Sequence, residues 1–517
     1  MKAPILLFAS FLVATAHSLR ILIAMDAGTR SHVVPIFNIA KLLHERNHTI
    51  IYAAPAQLEG FKMNHDFIQF APLHLNFSDP ASGIAARVDL PNTLKTQASL
   101  IQVLFDKFSA MYPGAVKAYD AVFNETAADL ILCDFFATAC LDTAHARGLN
   151  YGIIGPVGWQ GFQSQWYIPG PLNPVPQSEW TTSPVSRLLK PIELMWGIGY
   201  TFLKSVHKLG KVQAEVWGGV APPSFAQHAS KHLYLSHSFF PFFAAQPLPP
   251  NVLTLGPLVD PTMQPLDAEM QAFLNQPHIH RVIYIAFGSG LKALGTLKSR
   301  LLAGLGPLLH QHPNLAVAWG CADPLCPATR DAQLPAHLRD RVLLRPWMDQ
   351  VGMLAHPKVR VFISHGGVSS LFESLHFGVP LLVVPVFGDQ LLNAVRVEET
   401  GVGLALHEKN TFREEDVTER LGVLLRATAE GGEPVGKLSF ESVRRMQKIA
   451  RLARETSLMQ GANAIEMVAS VGVDGWIPAV ETLSASEMMG LGKVDLRKVG
   501  TAVMLGALAV YFIATRK

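Results

Sequence analysis

Short runs of Val, Ile and Leu alternate with helix-length stretches whose apolar residues recur every three to four positions. "RILIAMDAGTRSHVVPIFNIAKLLHERNHTIIYAA" (20–54) reads as strand, glycine-containing loop, amphipathic helix and strand. "RVIYIAFGSGLKALGTLKSRLLAGLGPLLHQHPNLAVAWG" (281–320) repeats that order in the second half. Continuous apolar runs of this length predict strands buried on both faces, as in a parallel sheet with helices above and below. "ADLILCDFF" (128–136), "VRVFISHGG" (359–367) and "PLLVVPVF" (380–387) add further strands to the two sheets. The predicted fold class is α/β: two Rossmann-like doubly wound domains facing a cleft, plus a C-terminal transmembrane helix. "HLYLSHS" (232–238) reads as the last strand of the first half, and the proline-rich stretch Phe239–Pro261 as the linker. The predicted divisions are 17–250 and 251–480. A long apolar helix is also predicted over Ser186–Leu209.

Composition changes this picture mainly at the two ends. The chain has 517 residues, a net charge of +3 and no basic stripe, which argues against a nucleic-acid partner. Apolar residues make up 49% and charged residues only 16%. Met1-Lys2, the apolar "APILLFASFLVA" and Ala14-Thr15-Ala16 read as a signal peptide over 1–16. Val499–Ala514 is uncharged and lies between Arg497-Lys498 and Arg516-Lys517. This predicts one membrane span over 499–515, its basic flanks snorkelling to complete a short crossing. Together these features predict a single-pass membrane protein with a lumenal body, in the endoplasmic reticulum or another secretory compartment. Asn47, Asn76 and Asn124 head glycosylation sequons that suit this route. The four cysteines fit no zinc spacing; Cys321 and Cys326 could pair or remain buried thiols. A homo-oligomer is compatible with the sequence.

The stretch "FISHGGVSSLFESLHFGVPLLVVPVFGDQ" (362–390) carries the densest chemistry. Gly366 and Gly367 allow close backbone approach where a helix begins, and free N–H groups at a helix start attract phosphate. His365 and the hydroxyls of Ser369 and Ser370 add donors. The same residues have a purely structural reading, because Ser370-Leu-Phe-Glu373 fits a capping box. On the residues alone, the two readings stand level. Neither a GxGxxG nor a Walker pattern is present.

Across Phe362–Gln390 the sequence resembles the UDP-glycosyltransferases, inverting nucleotide-sugar enzymes with two Rossmann-like domains. The resemblance rests on Phe362-Ile-Ser-His-Gly-Gly, Ser370, Glu373, Pro380, Pro385 and Asp389-Gln390. It extends to the "PNVLTLGPL" linker, the "FGSG" loop and both termini, and is nearest to animal-type, membrane-anchored glucuronosyl- and glucosyltransferases. It implies that Trp347 stacks on uracil, Gln350 bonds the base or ribose, and Glu373 accepts from ribose hydroxyls. His365, Gly367, Ser370 and Ser289 would hold the diphosphate, while Asp389 and Gln390 would bond the sugar. The usual Trp-x-Pro-Gln reads Trp347-Met-Asp349-Gln350 here, and Asp349 is expected to face solvent.

On the other side of the predicted cleft, His32 follows the first strand and Asp134 ends "ADLILCD". A histidine with an orienting carboxylate makes a general base. The resemblance implies that His32 deprotonates the acceptor hydroxyl, that Asp134 holds its imidazole, and that no cofactor or metal is required beyond the UDP-sugar donor. Gly155–Pro171 and Trp196–Phe202 are aromatic and uncharged, which predicts a small lipophilic alcohol, phenol or sterol as acceptor. The function expected is transfer of a hexosyl group, glucose or glucuronic acid, with inversion. The alternatives are a UDP-sugar epimerase-like enzyme on the same fold and a non-catalytic nucleotide-sugar-binding subunit.

Overall fold

The computed structural model describes residues 18–63, 65–75, 89–155, 176, 183, 195–245, 248–260, 266–288 and 294–472. The signal peptide and membrane span expected at the termini lie outside these residues, as do Asn76, Ser289 and most of 155–171. Among the described residues, no helix is long and apolar enough to cross a membrane.

Two parallel sheets form the frame. The first comprises β1 (Arg20–Ala24), β2 (Thr49–Pro55), β3 (Gln69–Leu73), β4 (Leu130–Asp134), β5 (Tyr151–Gly155), β6 (Leu233–Ser236) and β7 (Val252–Thr254). Their order is β3-β2-β1-β4-β5-β6-β7. The second comprises β8 (Arg281–Ala286), β9 (Leu315–Gly320), β10 (Val342–Arg345), β11 (Val359–Ser364), β12 (Leu381–Val383) and β13 (Gly403–Ala405), ordered β10-β9-β8-β11-β12-β13. Each order reverses direction once, between β1 and β4 and between β8 and β11. At these switch points the crossover helices leave on opposite faces and open a crevice at the strands' carboxyl ends.

β1, β4 and β8 are almost wholly buried, which explains their unbroken apolar runs. Tyr52, Phe37 and Ile465 belong to a core on one face of the first sheet, and Tyr119, Tyr151 and Tyr234 to the core on the other. Trp319 and Phe362 lie in separate cores on the two faces of the second sheet.

Two sequence expectations need revision. The first sheet does not end at 232–238: β7 lies inside the proline-rich linker and pairs parallel with β6, so the sheet runs past residue 250. The linker is also anchored, because Phe239, Phe242 and Phe243 pack around Phe372 in the second sheet's core. The helix expected to end at Leu209 is described as Tyr200–Val216, after a π-turn over Met195–Gly199. Its apolar spacing continues through Val212 and Val216, and the positive-φ pair Gly218-Gly219 follows it.

The last described helix, Phe440–Val471, belongs to both halves. Its Met446 and Ala450 pack on the second sheet, while Ala462, Ile465 and Val468 join the core of the first. Glu466 secures the crossing by accepting from Arg46 (2.5 Å) and pairing with His48 (2.7 Å). Gly461 lies where the helix approaches the first half closely; a Cβ there would meet the Ile39 and Leu255 methyls at 2.6 and 3.0 Å. Gly461→Val is therefore expected to destabilise the fold by about 1–3 kcal/mol through overpacking. A thermal melt at or above the wild-type midpoint would contradict this account of the crossing.

Candidate functional site

The loop after β1 turns back because Gly28 adopts φ +127°, a conformation that other residues enter only with strain. A Cβ at Gly28 would also meet the His32 ring at 3.0 Å, so glycine makes room for the imidazole. His32 closes a short 3₁₀ turn, Arg30–His32, and is buried. Its Nδ1 lies 3.0 Å from Oδ1 of Asp134, which is fully buried at the end of β4. The Phe136 backbone N–H donates to the other carboxylate oxygen at 3.0 Å. With Nδ1–H donating to Asp134, Nε2 carries the imidazole lone pair. The two residues flank the first sheet's switch point, and the disulfide Cys133–Cys140 ties down the turn that carries Asp134. Cys321 and Cys326 are also paired, which resolves the alternative left open by the sequence.

The surroundings of His32 are aromatic. His32 packs against Phe136 at 5.2 Å, Phe136 against Phe108 at 5.2 Å, and Phe105 continues from Phe108 to Phe202. Of the stretches expected to line the acceptor pocket, the first lies almost wholly outside the described residues; in the second, Phe202 joins this aromatic path. Phe105, Phe108 and Phe136 were not anticipated, although the doublet Phe135-Phe136 directly after Asp134 was a signal for one of them. On its other side, His32 borders a small pocket shared with Ile36, Ile154, Ser236, His237 and Leu258. His237 accepts from the Leu258 N–H, and burial drives its pKa down to about 3, keeping the ring neutral.

At the second switch point, β11 leads into His365-Gly366-Gly367 and the helix Val368–Phe377. Gly366 has φ +82°, which the turn requires. Gly367 is the helix N-cap, and no side chain caps the helix. The capping-box reading therefore fails: Ser370 and Glu373 sit within the helix, not at its entrance. Glu373 Oε2 instead accepts from Gln350 Nε2 at 2.6 Å, and the same nitrogen lies 2.9 Å from Ser370 Oγ. Burial raises the Glu373 pKa to about 7, against the Gln350 hydrogen bond and the charge of Arg30. Among the described residues, the buried Ser369 Oγ at the same helix start has no hydrogen-bond partner. His365 fits between Gly288 and Gly367, where a Cβ on either would strike its ring, and burial lowers its pKa to about 4.

Asp389 and Gln390 open the helix Gln390–Thr400. Gln390 is buried, and its amide oxygen accepts from the N–H groups of Val386 (2.9 Å) and Phe387 (3.2 Å). Burial raises the Asp389 pKa to about 6, offset by the Asn393 hydrogen bond and, more weakly, by His32 across the cleft. That influence on Asp389 links the two halves of the expected site. Gln97, from the first half, is buried and accepts from the Gly388 N–H at 3.2 Å; no periodicity in the sequence signalled it.

Trp347 is 54% exposed, and the Arg30 guanidinium sits over its ring at 5.2 Å. Arg30 also faces the charges of Glu373 and Asp349, while burial lowers its pKa. Asp349 does not face solvent as expected. It is half-buried at the N-cap of the helix Gln350–Ala355, and its charge reaches Glu373 and Arg30. A helix start and a facing guanidinium make that position tolerable for a carboxylate.

Asp26, in the same loop as His32, is a further acid that sequence reasoning passed over. Burial and the charge of Asp134 raise its pKa to about 8. An acid whose folded pKa is raised binds a proton more tightly in the folded state, so its contribution to stability falls as pH rises from the unfolded value toward 8. Asp26→Asn removes this dependence. Its melting temperature is expected to gain on the wild type by several degrees from pH 5 to pH 8, then run parallel above. Parallel curves throughout would show that Asp26 ionises normally.

A family profile described as "UDP-glucoronosyl and UDP-glucosyl transferase" matches residues 201–432. A UDP-glycosyltransferase of Talaromyces amestolkiae is 28% identical over 438 residues, covering 80% of this chain and 81% of its own. The human 2-hydroxyacylsphingosine 1-beta-galactosyltransferase is 25% identical over 421 residues, covering 79% and 74%. Among solved structures, the fold is similar to that of the glycotransferase of kitacinnamycin (TM-score 0.58, 16% identity, 87% of this chain and 98% of that one). It is also similar to a UDP-glucosyltransferase from Polygonum tinctorium capable of glucosylating indoxyl, in complex with 3,4-dichloroaniline (TM-score 0.56, 20% identity, 89% and 99%). With two parallel-sheet domains, the profile match and relatives aligned over most of their length, the chain is similar to the UDP-glycosyltransferases and is a glycosyltransferase.

Proposed function

We propose that this chain transfers a hexosyl group, glucose or glucuronic acid, from its UDP-sugar to a hydroxyl of a small lipophilic acceptor with inversion. The observation that carries the reading is the buried His32–Asp134 pair, which opens on an aromatic path and lies within electrostatic reach of Asp389. Nε2 of His32 takes the proton of the acceptor hydroxyl, and Asp134 offsets the imidazolium charge that forms. The acceptor oxygen then bonds to the anomeric carbon as its bond to the diphosphate oxygen breaks, and UDP leaves with that electron pair.

The uncapped start of the helix Val368–Phe377 suits the diphosphate. Its backbone N–H groups, Ser369 Oγ and a neutral His365 supply donors where negative charge grows on the leaving group, so the reading requires no metal. Ser369 fits this role better than Ser370, whose hydroxyl is engaged with Gln350. Glu373 would take the ribose hydroxyls, Trp347 the uracil once Arg30 swings aside, and Asp389 with the Gln390 amide nitrogen the sugar. Ser289 retains the diphosphate role implied by the family resemblance. The aromatic path favours a flat apolar alcohol, phenol or sterol. Anchoring by the span at 499–515, with a lumenal body, completes the proposal.

The test is incubation of purified protein with labelled UDP-sugars and an acceptor panel, alongside UDP affinity measured separately. His32→Ala is expected to lower turnover about 10²–10⁴-fold, the range of general-base catalysis, with UDP affinity nearly unchanged. Glu373→Gln should mainly weaken donor binding. UDP binding without sugar transfer to any acceptor would point to a non-catalytic binding subunit, and sugar isomerisation that survives His32→Ala to an epimerase.

A further inference from the structure

A cluster of three histidines lies away from the donor and acceptor residues. His145 is near the end of the helix Thr138–Ala146; His228 is in the helix Phe225–Lys231, and His232 caps that helix just before β6. His228 is within that helix, and His232 follows at its C-cap with extended backbone. One ring nitrogen from each of the three lies within 4.8 Å of the others. His232 stacks on Tyr151, the first residue of β5, at 3.7 Å. The cluster therefore occupies the amino-terminal rim of the first sheet, whereas Asp134 ends β4 on the opposite rim. A five-residue strand, about 16 Å, separates the two rims.

We propose that His145, His228 and His232 form a binding site for one divalent transition-metal ion, with Zn²⁺ the best match to three imidazole ligands. Four-coordinate zinc holds its nitrogens at about 2.0–2.1 Å, so ligand nitrogens lie a little over 3 Å apart. The observed spacing needs only a modest contraction, and His145 is exposed at a helix end, where its side chain can swing.

The surroundings of His228 favour this use over simple packing. Its Nε2 lies 3.0 Å from Asp142 Oδ1, and the other oxygen of that carboxylate accepts from Tyr112 (2.5 Å) and Gln213 (2.8 Å). A carboxylate that fixes the far nitrogen of an imidazole, and is itself held by hydrogen bonds, is the usual second layer behind a metal-binding histidine. His228 Nδ1, now 2.7 Å from the Tyr151 hydroxyl, is then the nitrogen that turns to the metal. The displaced phenol remains beside the fourth coordination position, which it or a water molecule can fill. A bound ion would clamp the helices at 138–146 and 225–231 together and leave the cleft untouched.

The experiment uses the full chain, purified without a histidine tag and stripped with chelator. Co²⁺ serves as the spectroscopic probe, with Zn²⁺ as competitor. One Co²⁺ per chain should bind with visible absorption of tetrahedral intensity, Zn²⁺ should displace it, and Zn²⁺ should raise the melting temperature by several degrees. His145→Asn, at an exposed position, and His232→Asn should each abolish the absorption and the Zn²⁺-dependent shift, with metal-free melting and UDP affinity preserved. Absence of Co²⁺ absorption at micromolar metal, or a signal unchanged in both variants, overturns the proposal.

Discussion

Each sheet is buried on both faces, and this constraint decides where polar chemistry can occur. A parallel sheet covered by helices leaves no room along its strands for an unpaired charge, so reactive groups collect where strands end. At the carboxyl rims, the switch points between β1 and β4 and between β8 and β11 open the crevices. His32, His365, Gly288 and Gly367 lie in the turns that leave β1, β8 and β11, and Asp134 is the last residue of β4. The glycines follow from the same crowding, since Gly28 makes room for His32 and Gly288 with Gly367 for His365.

The cleft contains more acid than a binding place for a diphosphate should tolerate. Asp26, Asp134, Asp349, Glu373 and Asp389 all approach it. Burial resolves much of the conflict by raising the pKa values of Asp26, Glu373 and Asp389 to about 8, 7 and 6. At neutral pH, Asp26 is therefore mostly protonated and Glu373 close to half so, which lowers the negative charge without removing the groups. Arg30 offsets the charges of Asp349 and Glu373 from the opposite half. A site that shifts protons in this way can meet an anionic donor with hydrogen-bonding groups that would otherwise repel it.

Much of this was legible in the sequence, for reasons that can be traced to particular residues. Unbroken runs such as Leu130–Asp134 and Val359–Ser364 betray strands buried on both faces, and the loop after each strand shows where chemistry sits. What escaped the sequence depended on distance or on competition. β7 is three residues long and lies among prolines, so only its pairing with β6 reveals it. Ser370 and Glu373 match a capping box by spacing, but the helix begins two residues before Ser370 and leaves both inside. Asp349 was expected outside because a carboxylate beside a pyrophosphate is unfavourable; Arg30, from a loop more than three hundred residues away, changes that balance. Cys133 and Cys140 carry no spacing signal, and the turn after β4 is what brings them together.

The relation between the halves is fixed outside the cleft as well as within it. Asp89 accepts from the Thr296 N–H and hydroxyl, and Asn92 donates to the carbonyls of Pro385 and His407. Lys409 donates back to Asn92, and Leu100, on a helix of the first half, is buried in the core of the second. The helix Phe440–Val471 closes the opposite side by packing on both sheets. These two tethers hold the rims in the arrangement described, and a ligand entering it would have to displace side chains. Arg30 over the exposed Trp347 is the clearest of them, because that ring is the surface a planar base would need. On the proposed donor roles of Trp347 and Glu373, its displacement would carry a cation from the nucleobase toward Glu373 and the diphosphate. Donor binding would then be linked to the loop that holds His32, since Arg30 and His32 share one 3₁₀ turn.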